Sequence, residues 1–284
     1  VIDTKLTKDF THKEIVVMMT GKDLSDDYFA KEGAAPPSDH GQETPILSVR
    51  NISSSARNLK SVSFDLYKGE VLGIAGLLGA GRTELFKAIF GADRMTGGEI
   101  LLNGAPVRIG STIDAVRAGI MLLPEDRKTE GLILQMSIQD NIIEPSLKAI
   151  STAGLVSRKK GKALAKEYTA RMRVKCTGEE QVVGNLSGGN QQKVVFAKWL
   201  AAHPKVLMLD DPTRGIDVGS KHEIYGLIRE LANQGIGVIF VSSEMPELVG
   251  VCDRVLVMRD GEIVSEAVGA AINDNHLMMI ATGT

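Results

Sequence analysis

The chain has 284 residues, enough to bury a core in one large domain or two small ones. Its 43% hydrophobic and 24% charged residues are ordinary for a soluble globular protein, and a net charge of −2 gives no electrostatic reason to expect nucleic acid or an anionic membrane as a direct partner. Cys176 and Cys252 lie far apart and the five histidines form no ligand pair, which argues against a disulfide framework or a Cys/His metal centre and fits a reducing cytosol.

The start lacks the charged-then-apolar layout of a signal peptide, and no apolar run approaches the length needed to cross a bilayer. The chain begins at Val1 rather than Met, which reads as a fragment of something longer. Thr11 to Met19 predicts a short capped helix, with Thr11 as N-cap and Glu14 three residues on. Asp23 to Glu43 is polar, with Pro36 and Pro37, and has linker composition. A boundary near Thr44 separates residues 1–44 from one domain over 45–284.

From Ile46 the pattern turns strand-like. ILSVRNIS and LKSVSFDLYKG predict half-buried antiparallel strands, with Lys68-Gly69 as a turn. Val71 to Ala75 is a continuous apolar run leading into a glycine loop, and a helix follows from Arg82 to Phe90. Glu99 to Val107 predicts a hairpin turning at Asn103-Gly104. Ile120 to Leu123, Lys205 to Leu209 and Val238 to Val241 predict buried strands, the last two separated by a helix from Lys221 to Asn233. Ser137 to Arg173 reads as mostly helical. Arg254 to Met258 and Glu262 to Ser265 flank a turn at Asp260-Gly261. Strands alternating with helices imply an α/β fold, with a mainly parallel sheet covered on both faces and an antiparallel flank. The basic stretch Arg158 to Arg173 places Leu164, Tyr168 and Met172 on one face, so its lysines read as a solvated helix face rather than a nucleic-acid surface.

Three segments carry chemistry. Gly76-Leu-Leu-Gly79-Ala80-Gly81-Arg82-Thr83 follows an apolar strand and opens a helix, the context of a loop whose backbone N–H groups cradle phosphate. Thr83 offers a hydroxyl to Mg²⁺, and Arg82 stands where such loops place lysine, a planar fork in place of a compact ammonium. Val206 to Asp211 is an apolar strand that aims Asp210 at the metal shell, with Asp211 beside it; phosphoryl transfer to water also needs a group that positions the attacking water. Finally, LSGGNQQK (Leu186 to Lys193) opens a helix with Ser187-Gly188-Gly189, which presents free N–H groups, a hydroxyl and a positive dipole end to an anion; Ser-Gly-Gly also caps ordinary helices.

Together these motifs resemble an ATP-binding cassette, and more narrowly the C-terminal cassette of bacterial monosaccharide importer ATPases. The narrower match rests on Gly79 to Glu84, Glu125-Asp-Arg-Lys128, LSGGNQQK, Asp211 to Gly219 and Val241 to Glu247. Met19 to Tyr28 resembles the tail of a preceding cassette. The resemblance implies a P-loop NTPase core, an antiparallel β subdomain and a helical subdomain inserted at about 126–184. It implies ATP and Mg²⁺ as ligands, with Gly76, Gly79, Ala80, Gly81, Arg82, Thr83 and Glu84 on ATP and Thr83, Asp210 and Glu125 on the metal. Ser187, Gly188, Gly189 and Asn190 would contact ATP bound by a partner cassette, with Asp217 as the D-loop aspartate.

The resemblance also marks departures. Asp211 replaces the family's glutamate, one methylene shorter; a shift of roughly 1 Å can cost about a hundredfold in rate. Ser243 falls at the switch histidine and Glu125 at the Q-loop glutamine, and no aromatic residue lies between Ile46 and Ser61 to stack on adenine. The expectation is therefore a degenerate site that binds MgATP and turns it over slowly, the isolated domain being weakly active, while LSGGNQ serves the partner's hydrolytic site. Implied partners are an N-terminal cassette of the same polypeptide, membrane-spanning permease subunits and, indirectly, a periplasmic or extracellular sugar-binding protein, with no nucleic acid. The implied location is peripheral, on the cytoplasmic face of the bacterial inner membrane. Two alternatives are a non-hydrolysing nucleotide-binding or dimerisation module and a soluble cassette ATPase unconnected with transport. The latter generally carries coiled-coil insertions or basic linkers, and the sequence shows neither.

Overall fold

The computed structural model describes residues 43–54, 59–152 and 154–284. The expected helix at Thr11 to Met19, the linker and the preceding-cassette tail lie outside the described residues, apart from Glu43 at the linker's end.

β1 (Leu47–Ser54) and β2 (Leu59–Leu66) pair antiparallel, and β2 alternates buried and wet positions. β3 (Val71–Ala75) is buried along its whole length and runs into α1 (Arg82–Ile89). β4 (Gly97–Leu102) and β5 (Ala105–Val107) join through Asn103 and Gly104 at φ 50° and 76°. Two left-handed residues are what a tight hairpin turn matched to strand twist requires, and Asn-Gly supplies them at least cost. These antiparallel strands form one sheet in the order β2-β1-β4-β5.

α2 (Thr112–Ala118) starts at Ser111, whose hydroxyl caps the Asp114 N–H, and leads into β6 (Ile120–Leu123). The stretch read as mostly helical is divided. α3 (Ile138–Ile143) is followed by a short hairpin of β7 (Ser151–Thr152) and β8 (Leu155–Val156), and only then comes α4 (Arg158–Arg171). Gly161, Ala165, Tyr168 and Thr169 of α4 are buried and its lysines are exposed, as the solvated-face reading requires. α5 (Gly188–Leu200), β9 (Val206–Asp210), α6 (Val218–Asn233), β10 (Gly237–Val241) and α7 (Met245–Val251) follow in alternation. α6 begins three residues earlier than expected because the Asp217 carboxylate caps the Ser220 N–H. The chain ends with β11 (Arg254–Arg259), β12 (Glu262–Val268) and α8 (Asp274–Thr282).

The second sheet has the order β12-β11-β3-β10-β9-β6, parallel except for β12. Its side chains divide by strand period between two cores. Leu72, Ile74, Met208, Ile239 and Val241 face α1 and the antiparallel sheet. Val71, Leu207, Leu209, Val238 and Phe240 face the layer that holds α5, α6 and α7. Such near-continuous apolar strands are the mark of a parallel sheet covered on both sides. Because β3, β9 and β10 are parallel neighbours, the loops after them emerge at one edge, where α/β sheets hold ligands.

Candidate nucleotide site and signature surface

At that edge the register sets Ile74 beside Val241, and Val241 beside Asp210. The loop after β3, the Asp210-Asp211 pair and Ser242-Ser243 thus lie next to one another. Gly76 is required by close approach, since a Cβ there would stand 2.6 Å from the Met258 carbonyl oxygen. Gly81 sits at φ 100° as N-cap of α1 with no side-chain cap, so the first-turn N–H groups of α1 are left for an outside acceptor. The space a Cβ at Gly79 would enter is open. Ala80 is held by N–H bonds to Leu77 and from Gly261, both 3.0 Å.

Arg82 does not extend freely toward that space. Its Nη1 donates to the Ser242 carbonyl at 3.0 Å. Burial lowers its pKa, while the charges of Asp210, Asp211 and Glu84 act in the opposite sense. Asp210 ends β9 at 3% exposure, and burial pushes its carboxyl up to about 6 against the opposing pull of the Thr83 hydroxyl and Arg82. A desolvated carboxylate beside a threonine hydroxyl is a suitable donor pair for a hard cation that takes its remaining oxygens from phosphate and water. Among the described residues no group of three or more His, Cys, Asp or Glu could hold a metal alone. Thr83 and Asp210 therefore fit Mg²⁺ brought in with phosphate, rather than a resident ion.

Asp211 has φ 47°, a left-handed conformation in which aspartate is less strained than longer residues, and its N–H bonds the Val241 carbonyl at 3.0 Å. Burial raises its carboxyl pKa, and hydrogen bonds from Ser243 oppose the rise. Asp211 and Ser243, the two residues expected at hydrolytic positions, are thus partners of each other. Glu125 is brought to the same region but its carboxylate is taken by Arg214 in an ion pair. Arg127, two residues on, donates to the carbonyls of Arg214 and Gly215 at 2.8 and 3.3 Å. The Glu125 to Arg127 segment is therefore clamped twice to the segment leading to Asp217.

Sequence reading named the Val241–Glu247 motif but gave Glu247 no role. Glu247 is 1% exposed and accepts from four side chains. Thr213 Oγ1 approaches its two oxygens at 2.9 and 2.7 Å, Ser242 Oγ at 2.7 Å, Tyr225 OH at 2.6 Å and Lys221 Nζ at 3.0 Å. It joins the loops after β9 and β10 to α6. A charged residue at the end of an apolar strand-to-helix segment was the one available clue.

The signature segment forms a different surface. Ser187, Gly189, Asn190, Asp217 and Ser220 line a cavity of about 440 Å³ with Lys175, and no phosphate-loop residue borders it. Packing restricts Gly189, where a Cβ would stand 2.5 Å from Ser220 Oγ and 3.0 Å from its Cβ; at Gly188 the close neighbour is the movable tip of Arg127, 2.8 Å away. Asp217 accepts from Ser220 N and Oγ at 3.0 and 2.7 Å, bonds that hold its carboxyl below the usual aspartate value. The chain thus carries two helix starts without a side-chain cap, α1 and α5, and the cavity at α5 is not bordered by the phosphate loop.

Comparison with known proteins identifies the family. A family model for ABC transporters matches residues 59–214. The ribose import ATP-binding protein RbsA of Lactococcus lactis subsp. cremoris (strain SK11) is 45% identical over 283 residues, covering 100% of this chain and 56% of that protein. RbsA 2 of Rhizobium meliloti (strain 1021) is 44% identical, covering 99% and 54%. The chain therefore spans about half the length of the curated relatives it matches. Among solved structures, a nucleotide-free ATP-binding cassette from an ABC transporter superposes with a TM-score of 0.69 at 20% identity, covering 82% of this chain and 95% of the other. The ADP conformation of the cassette MJ1267 gives 0.68 at 19%, covering 84% and 96%. Fold, motif order and relatives agree: the chain belongs to the ABC transporter family.

Proposed function

We propose that this chain is the ATP-binding C-terminal cassette of a ribose-type sugar importer, composed of one nucleotide-binding domain over 45–284 with a helical subdomain at about 126–184. The observation that carries the reading is the pair of uncapped helix starts, one at the phosphate loop beside Asp210 and one at Ser187 lining a separate cavity, which we read as two half-sites. Each needs a facing cassette to complete it, and the RbsA relatives are about twice as long as this chain.

In this reading the α1 start, Arg82 and Thr83 bind the ATP phosphates, and Asp210 with Thr83 holds Mg²⁺, which offsets phosphate charge when bound. Glu125 joins the metal shell only by leaving Arg214. Asp211 and Ser243, bonded to each other, orient a water poorly, so turnover at this site is slow. Ser187, Gly188, Gly189 and Asn190 close over ATP held by an N-terminal cassette of the same polypeptide, with Asp217 at the shared edge. Closure and reopening of the pair would drive two permease subunits between inward- and outward-facing states, with a sugar-binding protein delivering substrate. The helical subdomain would receive a permease helix at the cytoplasmic face of the membrane. No described helix is long and apolar enough to cross a membrane.

The test is ATPase activity of this chain alone and mixed with the N-terminal half. Activity that arises only in the mixture and disappears on Ser187→Arg supports the reading. Brisk hydrolysis by this chain alone, unaffected by that substitution, overturns it. The mutual bonding of Asp211 and Ser243 favours a second reading, a non-hydrolysing nucleotide-binding module, for which the mixture would show nucleotide-dependent pairing without turnover.

A further inference from the structure

Asn190 stands at the third position of α5, and its side-chain amide can be oriented from its neighbours alone. The Lys175 backbone N–H donates to Asn190 Oδ1 at 2.8 Å, and a backbone N–H cannot accept. The oxygen is thereby assigned to the Lys175 side, and the Nδ2 group faces Ser187 Oγ at 2.9 Å. An amide NH₂ only donates, so Ser187 Oγ must accept there. Its own proton is turned elsewhere, and among the described residues no hydrogen bond has the Ser187 hydroxyl as donor.

The same contact removes Ser187 from ordinary helix capping. Ser187 is the N-cap of α5, yet its hydroxyl makes no side-chain cap bond. An N-cap serine normally accepts from a first-turn backbone N–H. Here the Asn190 side chain takes that place, so the N–H groups of Gly188, Gly189 and Asn190 stay uncapped by any side chain. Ser187, Gly189 and Asn190 line the cavity, so the uncapped start of α5 and the free proton of the Ser187 hydroxyl lie at its wall.

We propose that Asn190 is a positioning residue that sets the polarity of the signature: it makes Ser187 Oγ an acceptor inward, and so makes its hydroxyl a donor outward, toward a phosphate oxygen of the facing nucleotide. This rests on the trans-site reading proposed above and adds to it a reason for asparagine at this position. A proton donor is what an anionic phosphate needs, and a hydrogen bond to a charged group is worth about a 10- to 100-fold change in binding.

The deciding variant is Asn190→Asp. It is isosteric, and one carboxylate oxygen keeps the Lys175 N–H bond. The other oxygen can only accept, so the Ser187 proton must turn inward. A negative charge in the first turn of α5 favours the helix dipole, so the thermal midpoint should hold or rise; a merely structural role gives no loss of function. In the two-cassette protein, Asn190→Asp and Ser187→Ala are each expected to lower kcat/KM for ATP about 10- to 100-fold, and the double variant should match Ser187→Ala within about threefold. Losses that multiply would mean that the aspartate acts by charge repulsion alone, which overturns the proposal. A readout free of nucleotide separates it from the reading it rests on. In this chain labelled at asparagine nitrogen, the bonded Asn190 side-chain amide proton should move upfield on Ser187→Ala. An unmoved resonance overturns the orientation, whereas a moved resonance with unaltered ATPase on Ser187→Ala retains the orientation and removes the trans-site reading.

Discussion

Arg82 Nη1 donates to the Ser242 carbonyl oxygen at 3.0 Å, tying the phosphate loop to the strand end that carries Ser243. The guanidinium has five donors, so one can brace β10 while others stay available to phosphate. A lysine, with a compact head and three donors, would serve phosphate or Ser242 but bridge them less well. Arg82→Ala is expected to weaken MgATP binding about 10- to 100-fold through loss of charge-assisted bonds. Arg82→Lys should weaken it by less than about tenfold. Titration with a fluorescent ATP analogue measures both; equal losses for Ala and Lys would show that the fork, rather than the charge, holds the nucleotide.

Asp211 and Ser243 supply the second prediction. In the proposed reading the short Asp211 carboxylate, engaged by Ser243, is poorly placed to orient an attacking water. Asp211→Glu with Ser243→His is expected to raise turnover about a hundredfold, the scale of a 1 Å repositioning. The gain has a local cost: at φ 47° glutamate is less comfortable than aspartate, and the single Asp211→Glu variant should lose up to about 1 kcal/mol of stability. Single-turnover hydrolysis and thermal unfolding read the two effects separately. Unchanged turnover in the double variant would show that Asp211 and Ser243 do not limit it.

Much of this edge was legible in the sequence for a simple reason. Buried parallel strands such as Val71–Ala75 and Ile120–Leu123 are unbroken apolar runs, and their ends are marked by Gly76 and Pro124. The Asn103-Gly104 and Asp260-Gly261 turns were equally plain, because left-handed backbone selects those residues. Two things were not legible. The β7–β8 hairpin has only two residues per strand, too few to show a period between helices. The partners of Glu247 come from positions 213, 221, 225 and 242, which only the tertiary fold assembles. The diversion of Glu125 to Arg214 and of Ser187 to Asn190 likewise depends on side-chain geometry that a motif does not carry.

Asp210 gives a pH prediction whose sign follows from its raised pKa. With a folded value of about 6 against 3.8 for the ordinary group, the folded protein holds a proton between those values that the unfolded chain releases. The destabilisation is absent below about pH 4 and complete above about pH 6, and its upper bound is about 3 kcal/mol at 1.36 kcal/mol per unit. Nucleotide-free protein in chelator should therefore have a lower thermal midpoint at pH 7 than this group alone would give at pH 5. Asp210→Asn should raise the pH 7 midpoint and flatten that difference, while removing the Mg²⁺ dependence of ATP affinity. An Asn variant no more stable than the parent at pH 7 would refute the buried-charge account.

Glu247 yields the last prediction, on stability rather than binding. Its carboxylate is the common acceptor for Thr213, Ser242, Tyr225 and Lys221, and Lys221 also bonds Glu244 at 2.5 Å. Removing the acceptor leaves several buried donors and a cation with half its pairing. Glu247→Ala is expected to cost about 3–5 kcal/mol, the range for breaking a buried pair. Glu247→Gln should cost less, about 1–2 kcal/mol, because the Ser242 and Thr213 hydroxyls can rotate to accept from the new amide. Urea unfolding at pH 7 distinguishes them, provided the slope with denaturant is unchanged. Nucleotide affinity should fall a few-fold in the Gln variant as well, since Ser242 carries the carbonyl that braces Arg82. A Gln variant with full stability and weakened ATP binding would show that Glu247 acts on the site by charge, not as the joint between the β9 and β10 loops and α6.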